Sequence, residues 1–245
     1  MTTQLPLVLA IANQKGGVGK TTTAWHLARH LHAQGLSVLL IDLDPQANLT
    51  KLSGVAAQRH SGHILGGAIQ PSATLRTACQ IGHHDIPIVP ASLDLANTAV
   101  GLAQRMFNRI EALSNAIDAT GKDWHIIIID CAPNADVLTI NALYAAHYIL
   151  TPSQPEELSI DGVNQMSAIH SQIYKLKNRA TPIWLIATQA DTRTTQHQIG
   201  LEALTKHGTI HGVIPARRGQ DADDQLHAAY HPLADKIARL ICAGA

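Results

Sequence analysis

Residues 15–22 read Lys15-Gly16-Gly17-Val18-Gly19-Lys20-Thr21-Thr22. The apolar run before them, residues 5–12, is typical of a buried strand, and the apolar residues after them recur at helical spacing. A glycine-rich turn between a strand and a helix is the arrangement that binds nucleotide phosphates. Residues 15–22 therefore predict a nucleotide site, for ATP or GTP, and the sheet that carries it.

Each residue type in this turn has a chemical reason to be there. The glycines let the backbone approach a phosphate closely, and consecutive N–H groups at a helix start point at the anion. Lys20 is predicted to reach the outer phosphates and the Thr21 hydroxyl to bind Mg2+. The matching strand and helix disfavour the alternative of a turn that only connects two elements. The general pattern has a glycine where this chain has Gln14, and the chain adds a second lysine, Lys15.

The rest of the chain alternates apolar strand-like runs with helical stretches, which predicts an α/β fold of the P-loop NTPase type. We expect a mostly parallel sheet with helices on both faces, in a single domain over residues 1–245. The predicted strands are 5–12, 38–41, 86–89, 126–129, 148–150, 183–187 and 210–214. Helical spacing connects Ala96, Val100, Ala103, Phe107, Ile110, Leu113 and Ile117. The glycine-containing part from Ser53 to Asp85 has no assigned role.

Acidic residues follow two of the predicted strands. Asp42 and Asp44 come after residues 38–41, and Asp130 comes after residues 126–129. Ligands of parallel α/β sheets bind at the carboxyl ends of the strands, so Asp130 is predicted to hold Mg2+ directly or through water. Asp44 is predicted to lie at the metal and to orient the attacking water. For Asp42, helix capping and metal binding are equally good interpretations.

Composition narrows the classes of function. The 18 basic and 18 acidic residues cancel, so nucleic-acid or membrane binding would have to be local. Three cysteines without metal-ligand spacing favour a reducing, cytoplasmic setting. Scattered histidines favour solvated or capping roles over a metal site, and the eight aromatic residues disfavour base stacking. No membrane-spanning run or signal peptide is predicted.

Taken together, these motifs resemble the ParA family of partition ATPases, which is grouped with MinD-type proteins. The resemblance is carried by residues 15–22, by Asp42 to Asn48 and by Ile126 to Leu143. It continues through 152–156, 191–194 and 213–215 and so spans nearly the whole chain. The chain is similar to the small form of the family, without an N-terminal DNA-binding domain.

The resemblance implies a weak, Mg2+-dependent ATPase that forms a homodimer on binding ATP. In such a dimer, Lys15 would reach the nucleotide of the partner subunit and stabilise transition-state charge there. Lys20, Thr21 and Thr22 would contact phosphate and Mg2+, and Asp44 and Asp130 would take the water and metal roles. The adenine would lie near residues 188–191 and 213–217, including Pro215.

The family also implies nonspecific binding to duplex DNA, a nucleoid location and a ParB-type stimulating partner. Residues 175–218 hold seven basic residues against two acidic ones, a local excess of five. That patch favours DNA contacts over an ordinary solvated face, with Arg193, Arg217 and Arg218 as the predicted contacts. Two alternatives remain. One is a MinD-like membrane-positioning factor, which is disfavoured because residues 233–242 hold only two basic residues, too few for a basic membrane-binding helix. The other is an ATPase that positions a protein cargo.

Overall fold

The protein is described here by a computed structural model. It describes residues 5–56, 65, 74–120, 122–156, 159–177, 180–216 and 222–243. Residues 57–64 and 66–73 of the segment 53–85 that has no assigned role, and both Arg217 and Arg218, lie outside the described residues.

Within the described residues, eight strands form one sheet. They are β1 (Leu7–Ile11), β2 (Val38–Leu43), β3 (Gln80–Ile81), β4 (Pro87–Val89), β5 (Ile126–Cys131), β6 (Tyr148–Ser153), β7 (Ile183–Ala190) and β8 (Ile210–Pro215). The order across the sheet is β3-β4-β2-β5-β1-β6-β7-β8. The pair β3–β4 is antiparallel and the other pairs are parallel. The predicted mostly parallel sheet is confirmed, and β3 is a strand that the sequence did not indicate.

Helices connect the strands. They are α1 (Lys20–Ala33), α2 (Asn48–Leu52), α3 (Leu75–Ala78), α4 (Asp94–Ala103), α5 (Ala112–Asp118), α6 (Val137–Ala145), α7 (Ser159–Lys177), α8 (Thr195–Thr205), α9 (Ala222–Ala229) and α10 (His231–Ala243). A short 3-10 helix covers His83–Asp85. None of the described helices is both long and apolar enough to cross a membrane.

The core lies on both faces of the sheet, because every residue of the central strands β1, β2 and β5 is buried. On one face, Val8 and Ile127 belong to a cluster with apolar residues of α4, α5, α6 and α7. On the other face, Leu9 and Ile128 belong to a cluster with α1, α9 and α10. Two-sided burial explains why these strands read as continuous apolar runs in the sequence.

One helical pattern differs from its prediction. The residues with helical spacing between 96 and 117 do not form one helix, since α4 ends at Ala103 and α5 begins at Ala112. The face of α4 that packs in the core carries Leu95 and Leu102, whereas Val100 and Phe107 are exposed. This short helix has apolar residues on two sides, and their spacing alone does not show which side packs in the core.

Candidate nucleotide-binding site

The glycine-rich turn lies between β1 and the start of α1, as the sequence predicts. Gly17 has a φ of 74° and Gly19 a φ of 88°, in the left-handed region that favours glycine. A Cβ at Gly16 or Gly17 would meet no atom within 4 Å, so this side of the turn is open to a ligand. Gly19 is the N-cap of α1, and the first turn of that helix has no acidic residue. An open turn at a helix N-terminus is the geometry that favours a bound anion.

Lys20 provides a buried positive charge beside the turn. Its side chain is 7% exposed, and Nζ donates a hydrogen bond of 3.0 Å to the carbonyl oxygen of Lys15. Burial lowers the pKa of the Lys20 ammonium, and the charges of Asp130 and Asp44 act in the opposite direction. An anion bound in the turn would further stabilise the charged form, because opposite charges within a few ångströms favour ionisation.

Thr21 and Asp130 meet at the carboxyl edge of the sheet. The Thr21 hydroxyl donates a hydrogen bond of 2.7 Å to Asp130 Oδ2, and Asp130 is 1% exposed. Oδ1 of the same carboxylate is buried and has no hydrogen-bond partner among the described residues. Burial, and then the charge of Asp42, raise the pKa of Asp130 well above its usual range. A carboxylate oxygen that is buried without a partner fits a site for a bound cation or its water.

Asp42 and Asp44 have different surroundings although they are two residues apart. Asp42 is fully buried and accepts hydrogen bonds from the backbone N–H groups of Asp44 and Thr50 and from the Thr50 hydroxyl. Burial raises the pKa of Asp42 to about 6. Thr50 Oγ1 in turn accepts a hydrogen bond from the N–H of Ala91. Of the two interpretations of Asp42, the structure favours a structural cap of the 44–50 turn.

Asp44 lies one residue beyond the end of β2. It is 8% exposed, and its Oδ1 accepts a hydrogen bond of 2.9 Å from the N–H of Gln46. Its carboxylate is among the charges that act on Lys20 and on Asp130. The turn that Asp42 caps therefore holds Asp44 in the neighbourhood of the glycine-rich turn.

Neighbouring strands hold the turn through Asn13, which the sequence did not single out, and through Thr188 and Gln189, which the sequence placed near the adenine. Asn13 is 2% exposed; its Nδ2 donates to the carbonyl oxygen of Pro152, and its Oδ1 accepts from the N–H of Lys15. Thr188 Oγ1 donates a hydrogen bond of 2.7 Å to the carbonyl oxygen of Val18. Gln189 Nε2 donates a hydrogen bond of 2.7 Å to the carbonyl oxygen of Gly17. In the sequence, the signal for these contacts is that the residues are polar and lie at strand ends. Which of them bond to one another follows only from the strand order β1-β6-β7.

Lys15 lies on the open side of the turn. Its Nζ is 3.3 Å from Glu156 Oε2, and the two side chains are 28% and 45% exposed. Lys15 and Lys20 therefore share one loop but differ in surroundings, since Lys20 is buried and Lys15 reaches toward solvent.

Comparison with known proteins places this geometry in a family. A family model described as an AAA domain, AAA_31, matches residues 7–183. The chromosome-partitioning ATPase Soj of Thermus thermophilus is 38% identical over 187 residues, which is 76% of this chain and 70% of that protein. The chain belongs to the ParA/Soj family of partitioning ATPases. The chromosome partitioning protein ParA of Caulobacter vibrioides is 37% identical over 161 residues, 65% of this chain and 60% of that protein.

Comparison with solved structures shows similarity over nearly the whole chain. A cobyrinic acid a,c-diamide synthase from Mycobacterium smegmatis, with bound ADP and magnesium, is 33% identical. It covers 98% of this chain and 97% of its own, with a TM-score of 0.85. A plasmid partition protein from Borrelia burgdorferi is 23% identical and has a TM-score of 0.77 over 96% of this chain and 99% of its own, which shows a shared fold. The predicted fold class and family are confirmed.

The ParA/Soj site predicted from sequence also includes residues at the ends of β7 and β8. Ala190 and Pro215 are register partners, and both line a cavity of about 220 Å3. Its other lining residues are Asp191, Thr192, Arg193 and Ala216. The two segments predicted to hold adenine are thus adjacent. Thr22, the remaining predicted phosphate contact, is half-buried in the first turn of α1.

Among the predicted DNA contacts of this ParA/Soj chain, only Arg193 lies in the described residues. Its side chain is 73% exposed, and its guanidinium donates to both carboxylate oxygens of Asp191, at 2.9 and 3.2 Å. This bidentate pair with Asp191 raises the pKa of Arg193. Since Asp191 offsets its charge, Arg193 is a weaker centre of positive potential than the sequence indicates.

Proposed function

We propose that residues 1–245 act as one ATPase domain that binds ATP and Mg2+ at the edge formed by β1, β2 and β5. The observation that carries this proposal is the Thr21–Asp130 hydrogen bond beside Asp130 Oδ1, which has no hydrogen-bond partner within the described part of the chain. Mg2+ in nucleotide enzymes is held by one or two protein groups, phosphates and waters, and Thr21 with Asp130 supply such groups. The bound metal would neutralise phosphate charge, while the glycine-rich turn and Lys20 hold the phosphates.

Hydrolysis in this proposal is slow until two subunits meet. Asp44, held by the turn that Asp42 caps, positions the attacking water near the outer phosphate. Lys15, on the open side of the turn, supplies a cation to the nucleotide of the partner subunit. ATP would then hold the homodimer together, and its hydrolysis would release it.

The biological task that we propose is partition of plasmid or chromosome. The ATP dimer binds duplex DNA without sequence preference on the nucleoid, in the cytoplasm, and a ParB-type partner stimulates it. Support comes from the partitioning ATPases among the relatives and from the excess of basic residues in 175–218. Dimerisation would double that basic face, and phosphate contacts hold DNA without reading its sequence.

Gel retardation of a random duplex by wild type, Lys20→Ala and Asp44→Ala tests the proposal at low salt. We expect wild type to retard DNA only with ATP and Mg2+, Lys20→Ala to fail, and Asp44→Ala to bind DNA but not hydrolyse ATP. Binding should weaken steeply as salt rises, because counterions are released from DNA. Equal retardation by all three proteins, or none at low salt, would contradict a nucleotide-switched DNA binder.

A second candidate is ATP-dependent amide formation, favoured by the diamide synthase that is 33% identical over 98% of this chain. ATP-turnover assays with cobyrinic acid plus ammonia, which supplies the amide nitrogen, and with DNA plus a ParB-type protein distinguish the two. Stimulation by the acid with ammonia, and none by DNA with the ParB-type protein, would favour the synthase. A protein cargo instead of DNA remains the alternative within the partition class, since both kinds of ATPase would bind DNA with ATP; a neighbouring gene for a centromere-binding protein would favour the DNA cargo.

A further inference from the structure

Gln189, the next-to-last residue of β7, has a backbone conformation that is rare for a residue with a side chain. Its φ is 53°, in the left-handed region that favours glycine. The last two register pairs of β7 with β8 are Ala187–Val213 and Ala190–Pro215. Between these pairs β7 has one residue more than β8, which makes a β-bulge. Bulges change the direction of a side chain and are common beside functional sites.

The bulge brings two successive side chains to the glycine-rich turn. In a regular strand, the side chains of neighbouring residues point to opposite faces of the sheet. Thr188 and Gln189 instead both bond to the turn, through the carbonyl oxygens of Val18 and Gly17, each at 2.7 Å. The left-handed conformation of Gln189 breaks the alternation, so that β7 holds two consecutive carbonyl groups of the turn.

A side chain that holds a carbonyl group also fixes the N–H group that follows it. A trans peptide is planar, and its C=O and N–H bonds point in opposite directions. Because Gln189 holds the carbonyl of Gly17 and Thr188 that of Val18, the N–H groups of Val18 and Gly19 are directed away from these two donors. Consecutive N–H groups of a glycine-rich turn are the groups that bind phosphate oxygens.

The conformation of Gln189 is not explained by packing. Its side chain is exposed, so it adds nothing to the core, and a glycine would adopt the same φ without steric cost. Gln154 Nε2 also donates to the Gly17 carbonyl oxygen, but at 3.4 Å, so the shorter bond from Gln189 is the main restraint. Strained backbone at a ligand site points to a role in binding the ligand.

We propose that Gln189 is a positioning residue of the nucleotide site, which holds the glycine-rich turn in its phosphate-binding conformation before the nucleotide arrives. It does not touch the phosphates itself but acts on the N–H of Val18 through the carbonyl of Gly17. The left-handed backbone lowers the stability of the fold, while the preorganised turn binds phosphate more tightly. This inference rests on the proposed nucleotide site.

Gln189→Asn separates stability from binding. Asparagine adopts the left-handed conformation more readily than glutamine, and its side chain is one methylene shorter, so its amide does not reach Gly17. We expect the melting temperature of the nucleotide-free protein to stay the same or rise by a few degrees. The Kd for Mg2+-ATP should increase about 3- to 10-fold, the effect of losing one hydrogen bond.

Gln189→Met tests the hydrogen-bond donor alone, because methionine keeps the length of the side chain and removes the amide. It should show the same increase in Kd, with a melting temperature no higher than that of wild type. Gln34→Met is the matched control: Gln34 is an exposed glutamine that donates a hydrogen bond of 2.8 Å to Asp235, at the end of α1 far from the turn. Its Kd for Mg2+-ATP should equal that of wild type. Calorimetric melting and nucleotide titration measure both quantities.

Two results would overturn the proposal. One is wild-type affinity in both Gln189 variants. The other is a lower melting temperature of Gln189→Asn together with its loss of affinity, because Gln189 would then be a structural residue. Either result leaves the proposed ATP site intact, since wild type binds Mg2+-ATP in the same titration. A wild type that does not bind Mg2+-ATP would contradict the proposed function as well, so the two failures are distinguishable.

Discussion

Asp42 and Asp130 are register partners on the adjacent strands β2 and β5, and both are buried. Asp42 accepts three hydrogen bonds and so supports the backbone of a turn. Asp130 accepts one from Thr21 and keeps an oxygen without a partner among the described residues. Three hydrogen bonds thus offset the cost of burying the Asp42 carboxylate, whereas at Asp130 the Thr21 hydrogen bond and the charge of Lys20 oppose the effect of burial.

Replacing Asp130 by asparagine should separate stability from function. Burial raises the pKa of Asp130, so its charged form is disfavoured in the apo protein, and a neutral side chain of the same shape removes that penalty. We expect apo Asp130→Asn to melt at the same temperature as wild type or a few degrees higher. Its affinity for Mg2+-ATP should fall about 10- to 100-fold.

Calorimetric melting and nucleotide titration with and without Mg2+ measure both effects. Asp123→Asn serves as a control, because Asp123 pairs with Arg76 on the surface, away from the glycine-rich turn. It should leave Mg2+-ATP affinity unchanged. A lower melting temperature for apo Asp130→Asn would show that the charge stabilises the fold.

At the scale of elements, helix packing sets the position of the loops at the site. Gly200 on α8 lies against the loop after β6, and a Cβ there would collide with the carbonyl oxygen of Pro155. The next residue, Glu156, pairs with Lys15. The close approach of α8 therefore helps to position the partner of Lys15.

Two glycine-to-alanine substitutions test this packing. Gly200→Ala should destabilise the protein by about 1–3 kcal/mol, because helix and loop must separate. Gly101→Ala on α4 should stabilise it by about 1 kcal/mol, since alanine favours the helix and a Cβ there meets no atom within 4 Å. Urea unfolding at low protein concentration gives both values. Stabilisation by Gly200→Ala would mean that α8 is not held against Pro155.

Histidines form the contact between α1 and α9. His30 and His227 stack with ring centroids 3.7 Å apart, and His26 Nδ1 is 3.2 Å from His227 Nδ1. The sequence predicts solvated or capping roles for the histidines, but His26 is 2% and His30 is 8% exposed. A solvated role is wrong for this pair because α9, far along the chain, covers it.

Acid should weaken this contact. Burial and then the charges of His30 and Arg29 lower the pKa of His227 from 6.5 to about 4, with Asp223 acting in the opposite direction. His26 and His84 also face it. Between pH 6.5 and about 4, His227 binds a proton in the unfolded chain but not in the folded protein. The contribution of neutral His227 to folding stability is therefore complete above pH 6.5 and is lost as the pH falls toward 4.

Melting temperatures of wild type and His227→Gln between pH 4 and 7 measure this effect. The variant should lose less stability on acidification than wild type. Parallel curves for the two proteins would contradict the assignment. The raised pKa of Asp42 makes stability increase as the pH falls below about 6. Because both proteins contain Asp42, it does not affect the difference in melting temperature between them.

At the scale of the whole molecule, parallel strands bring the ends of β1, β2, β5, β6 and β7 to one edge. The glycine-rich turn, the acids and the Thr188 and Gln189 contacts meet there, although they are as much as 172 positions apart in the chain. Ligand binding at this edge should therefore stabilise the whole sheet.

Lys15→Ala and Lys20→Ala should differ in how they respond to nucleotide. At about 100 times the Kd, Mg2+-ATP should stabilise wild type by about 2.7 kcal/mol, and Lys20→Ala should gain almost nothing at the same concentration. Lys15→Ala should keep binding nucleotide but form no ATP-dependent dimer, because the role proposed for Lys15 is to contact the nucleotide of the other subunit. Melting shifts combined with light scattering report both quantities.

The exposed Lys175→Ala is the matched control and should behave like wild type in both measurements. A Lys15→Ala protein that dimerises normally with ATP would contradict the proposed role in trans. Loss of nucleotide binding in Lys15→Ala would instead place Lys15 at the nucleotide of its own subunit.

Local chemistry was sufficient for much of this protein. Residues 15–22 predicted the turn between a strand and a helix, and the apolar runs predicted the sheet, because each signal lies within a few neighbouring positions. Strand runs buried on both faces were likewise evident from the sequence alone.

Only the tertiary structure decided what depends on contacts between distant segments. It made Asp42 a cap, gave Asn13, Thr188 and Gln189 their places at the turn, and gathered histidines of α1 and α9. It also buried Leu95 instead of Val100. The physical reason is that burial and hydrogen bonding are properties of the neighbours a residue acquires, and those neighbours are set by strand order and helix packing.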